Sequence, residues 1–151
     1  MRVWAAIVAL VMAAPGMAPL QLKAEFTAVA LALALQEKGS VAVHQILFDA
    51  GRAIIKPESV PTLASLGEVL QSDPKLTIEI QGHTDNAGTP ATNLRVSRER
   101  AVAVKVYLVQ SLGIAPERLT TIGFGDTKPV ASNATEEGRG QNRRIEFVKK
   151  K

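Results

Sequence analysis

The most constraining stretch of this sequence is an alternating segment that leads through a polar loop into a long helical pattern. Apolar and polar residues alternate over residues 76–81, the period-two pattern of a strand with one buried face. After the loop, a helical pattern runs from Asn93 to Leu112 and stops at Gly113. Side chains at the exit of this strand and in the first turns of this helix are therefore predicted to lie at the same end of a sheet.

The remaining periodic segments predict one further helix and three further strands. A long polar region, residues 125–141, is predicted to be a loop with room for a short helical turn. The other predicted elements are a strand over 41–48, a helix with Ser59 as its N-cap and Leu63, Leu66 and Leu70 on its buried face, and strands over 119–124 and 144–148. The order β-α-β-α-β-β predicts an α+β fold with helices on one face of the sheet.

The two ends of the chain differ in character from the predicted domain, residues 41–148. Residues 1–22 have a short basic start and then no charge, which favours a secretory signal. A membrane anchor is the alternative, because the uncharged length approaches the ~20 residues that a bilayer requires. A third alternative is that the sequence is the end of a longer protein. Residues 23–40 are predicted to form a helical linker, and residues 149–151 a basic solvated tail.

Composition excludes several classes of site. The 151 residues contain no cysteine, which excludes disulfides, thiolate metal sites and an acylated N-terminal cysteine. With His44 and His83 as the only histidines, a metal site has too few ligands, and we predict no cofactor. The formal net charge of +4 suits nucleic acid, anionic lipid or an acidic wall polymer. The sequence lacks interleaved basic and aromatic residues, which argues against nucleic acid.

Three stretches together carry a family resemblance. The central one is Gly82-His83-Thr84-Asp85, with Arg100 fifteen positions after the aspartate. The upstream one joins Ile46-Leu47-Phe48-Asp49 to Ile54-Ile55-Lys56-Pro57, and the downstream one is Asn142-Arg143-Arg144-Ile145-Glu146. In this order and spacing they resemble the OmpA-like C-terminal domain that binds peptidoglycan. The resemblance covers roughly residues 41–147 and implies a mixed sheet with two main helices on one side.

The resemblance also implies a ligand and the residues that bind it. Diaminopimelate in the peptidoglycan stem presents an ammonium and a carboxylate on one carbon. Asp85 can accept hydrogen bonds from the ammonium, while Arg100 can donate two parallel N–H bonds to the carboxylate, a geometry that lysine cannot reproduce. Asn93 adds a hydrogen bond and, with Ser97 and Arg100, shares one face of the helix. Asp49, Thr84, Leu94 and Arg144 are expected to form the wall or support of the pocket.

One position departs from the commonest family pattern, and several residues have simpler explanations. Ala50 stands where the family often has a threonine, so one hydroxyl contact is expected to be missing. Asp85 is alternatively a turn aspartate, and Arg100 a helix arginine paired with Glu99 or Asp49. His83 is interpreted as structural, packing or hydrogen bonding beneath the loop.

The predicted function is non-catalytic binding of peptidoglycan in the periplasm, associated with the outer membrane, so that the envelope is tethered to the cell wall. One alternative places the same domain behind an inner-membrane helix, as in MotB-like proteins, although the apolar N-terminal stretch lacks the acidic residue of an ion-conducting helix. The other alternative is a peptidoglycan hydrolase. It is disfavoured because no nucleophile motif is present and Glu79 is expected in the middle of a strand.

Overall fold

The computed structural model describes residues 19–151. The predicted signal or anchor segment, residues 1–22, lies outside this range apart from its end. Within residues 19–151, no helix combines the length and the apolar character that a membrane crossing requires.

A four-stranded mixed sheet forms the centre of the fold. In chain order the elements are α1 Pro19–Glu37, β1 Ser40–Val43, α2 Val60–Ser72, β2 Thr77–His83, α3 Pro90–Leu112, β3 Leu119–Gly125, α4 Glu136–Asn142 and β4 Arg144–Lys150. The strands lie in the order β1-β4-β2-β3, with β2 parallel to β3 and β4 antiparallel to both β1 and β2. The predicted α+β class and mixed sheet are therefore confirmed.

The core lies between one face of this sheet and the helices. Ile78, Ile80 and Phe147 point from β2 and β4 into it and are fully buried, together with Leu66 of α2 and Leu108 of α3. Burying an aliphatic or aromatic side chain of this size contributes about 1.5–3 kcal/mol each. The predicted helical linker is also part of this core, because α1 packs on α2 and contributes Leu31, Ala32 and Leu35.

Helix α3 has a well-defined beginning and end. It starts at Pro90, three residues earlier than predicted, because the Thr89 hydroxyl accepts a hydrogen bond from the backbone N–H of Thr92 at 3.1 Å. It ends where predicted, at Gly113, whose φ of 69° is the left-handed conformation that glycine adopts without strain.

Two glycines let α3 approach the sheet closely. A Cβ atom at Gly82 of β2 would overlap the backbone carbonyl oxygen of Ser97, and one at Gly123 of β3 would overlap the backbone nitrogen of Arg98. The glycine that opens the central motif is therefore required by packing. Because Gly82 has no side chain, the end of β2 can lie directly against the first turns of α3.

The segment between β1 and α2 differs from the prediction. Strand β1 ends at Val43 and not at residue 48, because the chain leaves the sheet and Phe48 then pairs with Ile55 in an isolated antiparallel bridge. Ser59 occupies the N-cap position of α2, as predicted, but its side chain makes no capping hydrogen bond. Its hydroxyl is buried and instead binds Leu47, accepting from the backbone N–H at 2.7 Å and donating to the carbonyl at 3.2 Å. We call residues 47–56 the rim hairpin.

The C-terminal region contains the short helix for which the sequence leaves room, and its last strand is longer than predicted. The second half of the predicted polar loop forms α4, whose N-cap Thr135 accepts a hydrogen bond from the N–H of Gly138. Strand β4 extends beyond the predicted end, because Lys149 and Lys150 pair with Ile78 and Thr77 of β2. These two lysines are exposed, as expected for the predicted basic tail, but they belong to the sheet.

Candidate functional site

A cavity of about 710 Å³ opens where β2 ends and α3 begins. The rim hairpin forms one wall, and the junction of α4 and β4 forms the opposite one. The charged, polar and aromatic residues that line it include Phe48, Lys56, Asp85, Asn93, Arg100 and Arg143. The predicted convergence of the strand exit and the helix start is thus observed.

Asp85 presents an oriented carboxylate to this cavity. Its Oδ1 accepts from the backbone N–H of Ala87 at 3.0 Å, and its Oδ2 accepts from Nη1 of Arg143 at 2.8 Å. The side chain is only 12% exposed. Asp85 is therefore a turn aspartate, as the alternative interpretation held, and also a cavity residue. A carboxylate has about four acceptor positions, so capacity for a ligand donor remains.

Arg100 lies in the same cavity without a carboxylate partner among the described residues. Its Nε donates to the carbonyl of Arg52 at 2.9 Å and its Nη2 to the carbonyl of Asp49 at 3.3 Å, while the guanidinium lies 4.9 Å from the centre of the Phe48 ring. The alternative pairing with Glu99 is not formed, because Glu99 pairs with Arg95. Burial lowers the pKa of Arg100, the Asp85 carboxylate opposes this shift and Arg143 adds to it. The guanidinium nevertheless stays charged, as arginine does in proteins.

Asn93 and Thr84 hold the loop that carries Asp85. The Asn93 amide donates to the Asp85 carbonyl at 3.4 Å and to Oδ2 of Asp126 at 3.2 Å. The Thr84 hydroxyl donates to the same Asp85 carbonyl at 2.7 Å, and its N–H donates to the carbonyl of Gly125 at 2.9 Å. Both residues are buried and line the cavity. Their amide and hydroxyl donors are used within the protein, so their visible role is to position Asp85.

Three other residues that the sequence analysis placed at or near the pocket do not line the cavity. Leu94 does not line the cavity, since its backbone lies against Gly125. Asp49 contributes its carbonyl oxygen, which accepts from Arg100, and its carboxylate makes no ion pair among residues 28–151. Ser97, on the same helix face, is turned to β3, where its hydroxyl accepts from the N–H of Gly125 at 2.9 Å.

Arg144 and His83 form the buried edge of the cavity. The Arg144 side chain is 3% exposed, pairs with Glu146 at 2.7 Å and lies in the wall of the cavity. His83 is buried and stacks on Phe124, with ring centroids 5.3 Å apart, which agrees with the structural role assigned to it. Burial lowers the pKa of His83 to about 4, and the neighbouring Arg144 charge acts in the same direction. The imidazole is therefore neutral at neutral pH.

Arg143 is the site residue that sequence reasoning missed. Its side chain bridges Asp85 and Glu136, and these two carboxylates raise its pKa. In the sequence it is adjacent to Arg144, and the downstream motif does not distinguish the two. Helix α4 is the feature that distinguishes the two arginines. It ends at Asn142, so that Arg143 reaches Asp85 while Arg144 enters β4.

The arrangement of charges in the cavity is suited to binding a zwitterionic ligand. An oriented carboxylate and a guanidinium with no carboxylate partner line one cavity, which is the pattern that a zwitterionic ligand requires. In the part of the chain that the structure describes, no three histidine, aspartate or glutamate side chains come together as a metal site would need.

Comparison with known proteins identifies the family. The model of the OmpA family matches residues 47–143. Outer membrane porin F of Pseudomonas fluorescens is 42% identical over 101 residues, which are 67% of this chain and 31% of the porin. The chain therefore spans about a third of the length of that relative.

Solved structures show the same fold. A MotB-like protein from Desulfovibrio vulgaris has a TM-score of 0.67 and 33% identity, over 74% of this chain and 72% of that protein. The peptidoglycan-associated lipoprotein of Burkholderia pseudomallei has a TM-score of 0.65 and 30% identity, over 82% of this chain and 93% of the lipoprotein. Domains of this family are non-catalytic, in agreement with the predicted absence of enzymatic activity. The chain belongs to the OmpA family.

Proposed function

We propose that this domain binds peptidoglycan without catalysis and holds the diaminopimelate of the stem peptide between Asp85 and Arg100, which we call the clamp. The observation that carries the proposal is the Arg100 guanidinium, which lines a cavity with Asp85 and has only carbonyl and aromatic partners among the described residues. A half-buried cation that has no carboxylate partner within the protein is stabilised by a carboxylate of the ligand.

Each group of the ligand has one partner in the clamp. The diaminopimelate ammonium donates to Asp85, whose carboxylate is already oriented by Ala87 and Arg143. The diaminopimelate carboxylate accepts from Arg100, whose planar guanidinium offers paired N–H donors. Because the carbonyls of the rim hairpin already fix Arg100, little side-chain entropy is lost on binding.

The proposed setting is the periplasm, where the domain tethers the envelope to the cell wall. The similarity to an outer membrane porin and to a peptidoglycan-associated lipoprotein supports this location. The stem peptide is repeated across the wall, so several weak clamps held on one membrane reach high avidity.

Calorimetric titration with two tripeptides tests the clamp. One is L-Ala-γ-D-Glu-meso-diaminopimelate. The other has lysine in the third position, which keeps the side-chain ammonium and lacks the carboxylate on the same carbon. We expect the diaminopimelate peptide to bind at least about tenfold more tightly, since one charge-assisted contact is lost with lysine. Equal affinities would contradict the assignment of Arg100.

The hydrolase alternative is tested with purified sacculi. The protein is expected to release no soluble muropeptides, because the carboxylate of Asp85 already accepts hydrogen bonds from Ala87 and Arg143 and is assigned to the ligand ammonium. Release of muropeptides that requires Asp85 would replace the binding proposal with a catalytic one.

A further inference from the structure

The cavity contains more positive charge than one zwitterion needs. Among the described residues, the cationic side chains that line it belong to Lys56, Arg100, Arg143 and Arg144, against the single carboxylate of Asp85. Arg143 is paired with Asp85 and Glu136, and Arg144 is paired with Glu146. Arg100 is assigned to the ligand carboxylate. Lys56 is left as a second cation with no ion-pair partner between residues 28 and 151.

The backbone around Lys56 is held in place. Its N–H donates to the carbonyl of Leu47 at 2.8 Å, and its carbonyl accepts from the N–H of Ser59 at 3.0 Å. The buried Ser59 hydroxyl also binds Leu47, so both strands of the rim hairpin are fixed at this point. The same hairpin provides the carbonyls of Asp49 and Arg52 that bind Arg100. One rigid segment therefore presents Lys56 and orients Arg100.

We propose that Lys56 binds a second carboxylate of the ligand, next to the clamp. The ligand class is a peptide that carries one zwitterionic centre and a free carboxylate on the neighbouring residue. This inference rests on the proposed function, and in a peptidoglycan stem the group that fits is the free α-carboxylate of the γ-linked D-glutamate, one residue before diaminopimelate.

Space and charge both support this assignment. A cavity of about 710 Å³ falls within the roughly 300–1,000 Å³ of pockets that hold drug-sized ligands, so it has room for more than the zwitterionic centre alone. Two cations on the same cavity repel each other when it is empty, and a second carboxylate relieves that repulsion. The site should therefore distinguish a stem with a free carboxylate from a stem in which this group is amidated.

A cycle of two ligands and two proteins tests the proposal. The ligands are L-Ala-γ-D-Glu-meso-diaminopimelate and the same tripeptide with the glutamate α-carboxylate converted to a carboxamide. The proteins are the wild-type chain and Lys56→Gln, and affinities are measured by calorimetry. We expect the wild type to bind the acid about fivefold to tenfold more tightly than the amide, and Lys56→Gln to bind both equally.

Two further variants control for general effects. Lys75→Gln removes one positive charge in the exposed turn before β2, away from the cavity at the other end of that strand, and should keep the wild-type preference for the acid. Lys56→Arg retains the charge and should also keep it. A preference that survives unchanged in Lys56→Gln, or that disappears equally in Lys75→Gln, would overturn the role of Lys56.

The outcomes separate this inference from the function on which it rests. If the wild type binds the acid and the amide with the same affinity, the clamp stands and the second carboxylate site is refuted. If the wild type binds neither peptide, both proposals fall together.

Discussion

The cavity and the open face of the sheet use the same kinds of charged residue in opposite ways. What we call the sheet ladder lies on the face of the sheet opposite the core and consists of Glu79, Gln81, Arg144, Glu146 and Lys150. Of these, Arg144 also lies at the buried edge of the cavity. Glu79 accepts from Gln81 at 2.8 Å and pairs with Lys150 at 3.2 Å, while Arg144 pairs with Glu146 at 2.7 Å. The Gln81 hydrogen bond, against the opposing effect of burial, lowers the pKa of Glu79.

In the cavity, by contrast, two cations lack a carboxylate partner among the described residues. Arg100 is held by backbone carbonyls, which orient a guanidinium without neutralising it. Lys56 is held only through its backbone. The comparison indicates that charges paired within the protein maintain the sheet, whereas charges that are oriented and left unneutralised are available to a ligand.

The largest effect is expected where the helix that carries Arg100 meets the sheet. Gly82→Ala places a methyl group against the Ser97 carbonyl, so α3 must shift away from β2. We expect the free energy of unfolding to fall by about 3 kcal/mol or more and ligand affinity to fall with it. Urea denaturation and calorimetric titration measure the two effects.

Gly140→Ala is the matched control for this change. A Cβ atom at Gly140 meets only the tip of Arg143, at 3.6 Å, so its stability should stay close to that of the wild type. If Gly82→Ala were as stable as Gly140→Ala, the close approach of α3 would not set the geometry of the cavity.

Two arginine variants test whether the paired arginine of the sheet ladder stabilises the fold more than the arginine of the clamp, which has no carboxylate partner among the described residues. Arg144→Gln removes the partner of Glu146 and leaves the carbonyls of Asn142 and Lys128 without their donor, so we expect a loss of about 2–3 kcal/mol in unfolding free energy. Arg100→Gln should cost only about 1 kcal/mol, since it loses two hydrogen bonds to carbonyls at the cavity rim. Equal destabilisation in urea titrations would make Arg100 a structural arginine and remove the contrast.

His83, which is buried at the edge of the cavity, makes the free energy of unfolding depend on pH. Its pKa is about 4 in the folded protein, against about 6.5 in an unfolded chain. Between these values the unfolded state binds the extra proton, so stability falls as the pH falls. From pH 7 to pH 5 the loss attributable to His83 should be about 2 kcal/mol.

Urea denaturation of the wild type and of His83→Gln across this pH range measures that loss. The groups that face His83 are Arg144, Glu146, Gln81, Lys128 and Phe124, all of which the variant retains. The difference in unfolding free energy between wild type and variant should shrink or reverse as the pH falls. A difference that stays constant from pH 7 to pH 5 would show that His83 does not titrate in this way.

Much of the fold, and the placement of Asp85 and Arg100 in one cavity, could be predicted from the sequence, because they depend on local patterns. Alternation over residues 76–81, the helix end at Gly113 and the spacing of Asp85 and Arg100 all have direct counterparts in the structure. The family resemblance placed Asp85 and Arg100 together, and their shared cavity agrees with it.

The features that were missed depend on tertiary contacts. Strand β1 was predicted too long because an apolar run does not reveal that Phe48 leaves the sheet to pair with Ile55. The sequence allows a short helical turn within residues 125–141 but does not locate helix α4, because Gly138 and Gly140 lower helix propensity. In the structure, Gly138 is needed for close contact with the Ser132 carbonyl. Without α4, nothing in the sequence indicates that Arg143, rather than Arg144, reaches Asp85.

The most direct test of the clamp is co-sedimentation of the protein with purified sacculi that contain diaminopimelate. Wild type, Asp85→Asn and Arg100→Lys are compared, since asparagine can still accept from Ala87 and lysine retains the positive charge. The clamp predicts that the wild type pellets with the sacculi and that both variants, folded by circular dichroism, remain largely in the supernatant. Equal pelleting of all three proteins would show that the basic surface alone accounts for binding and would contradict the clamp.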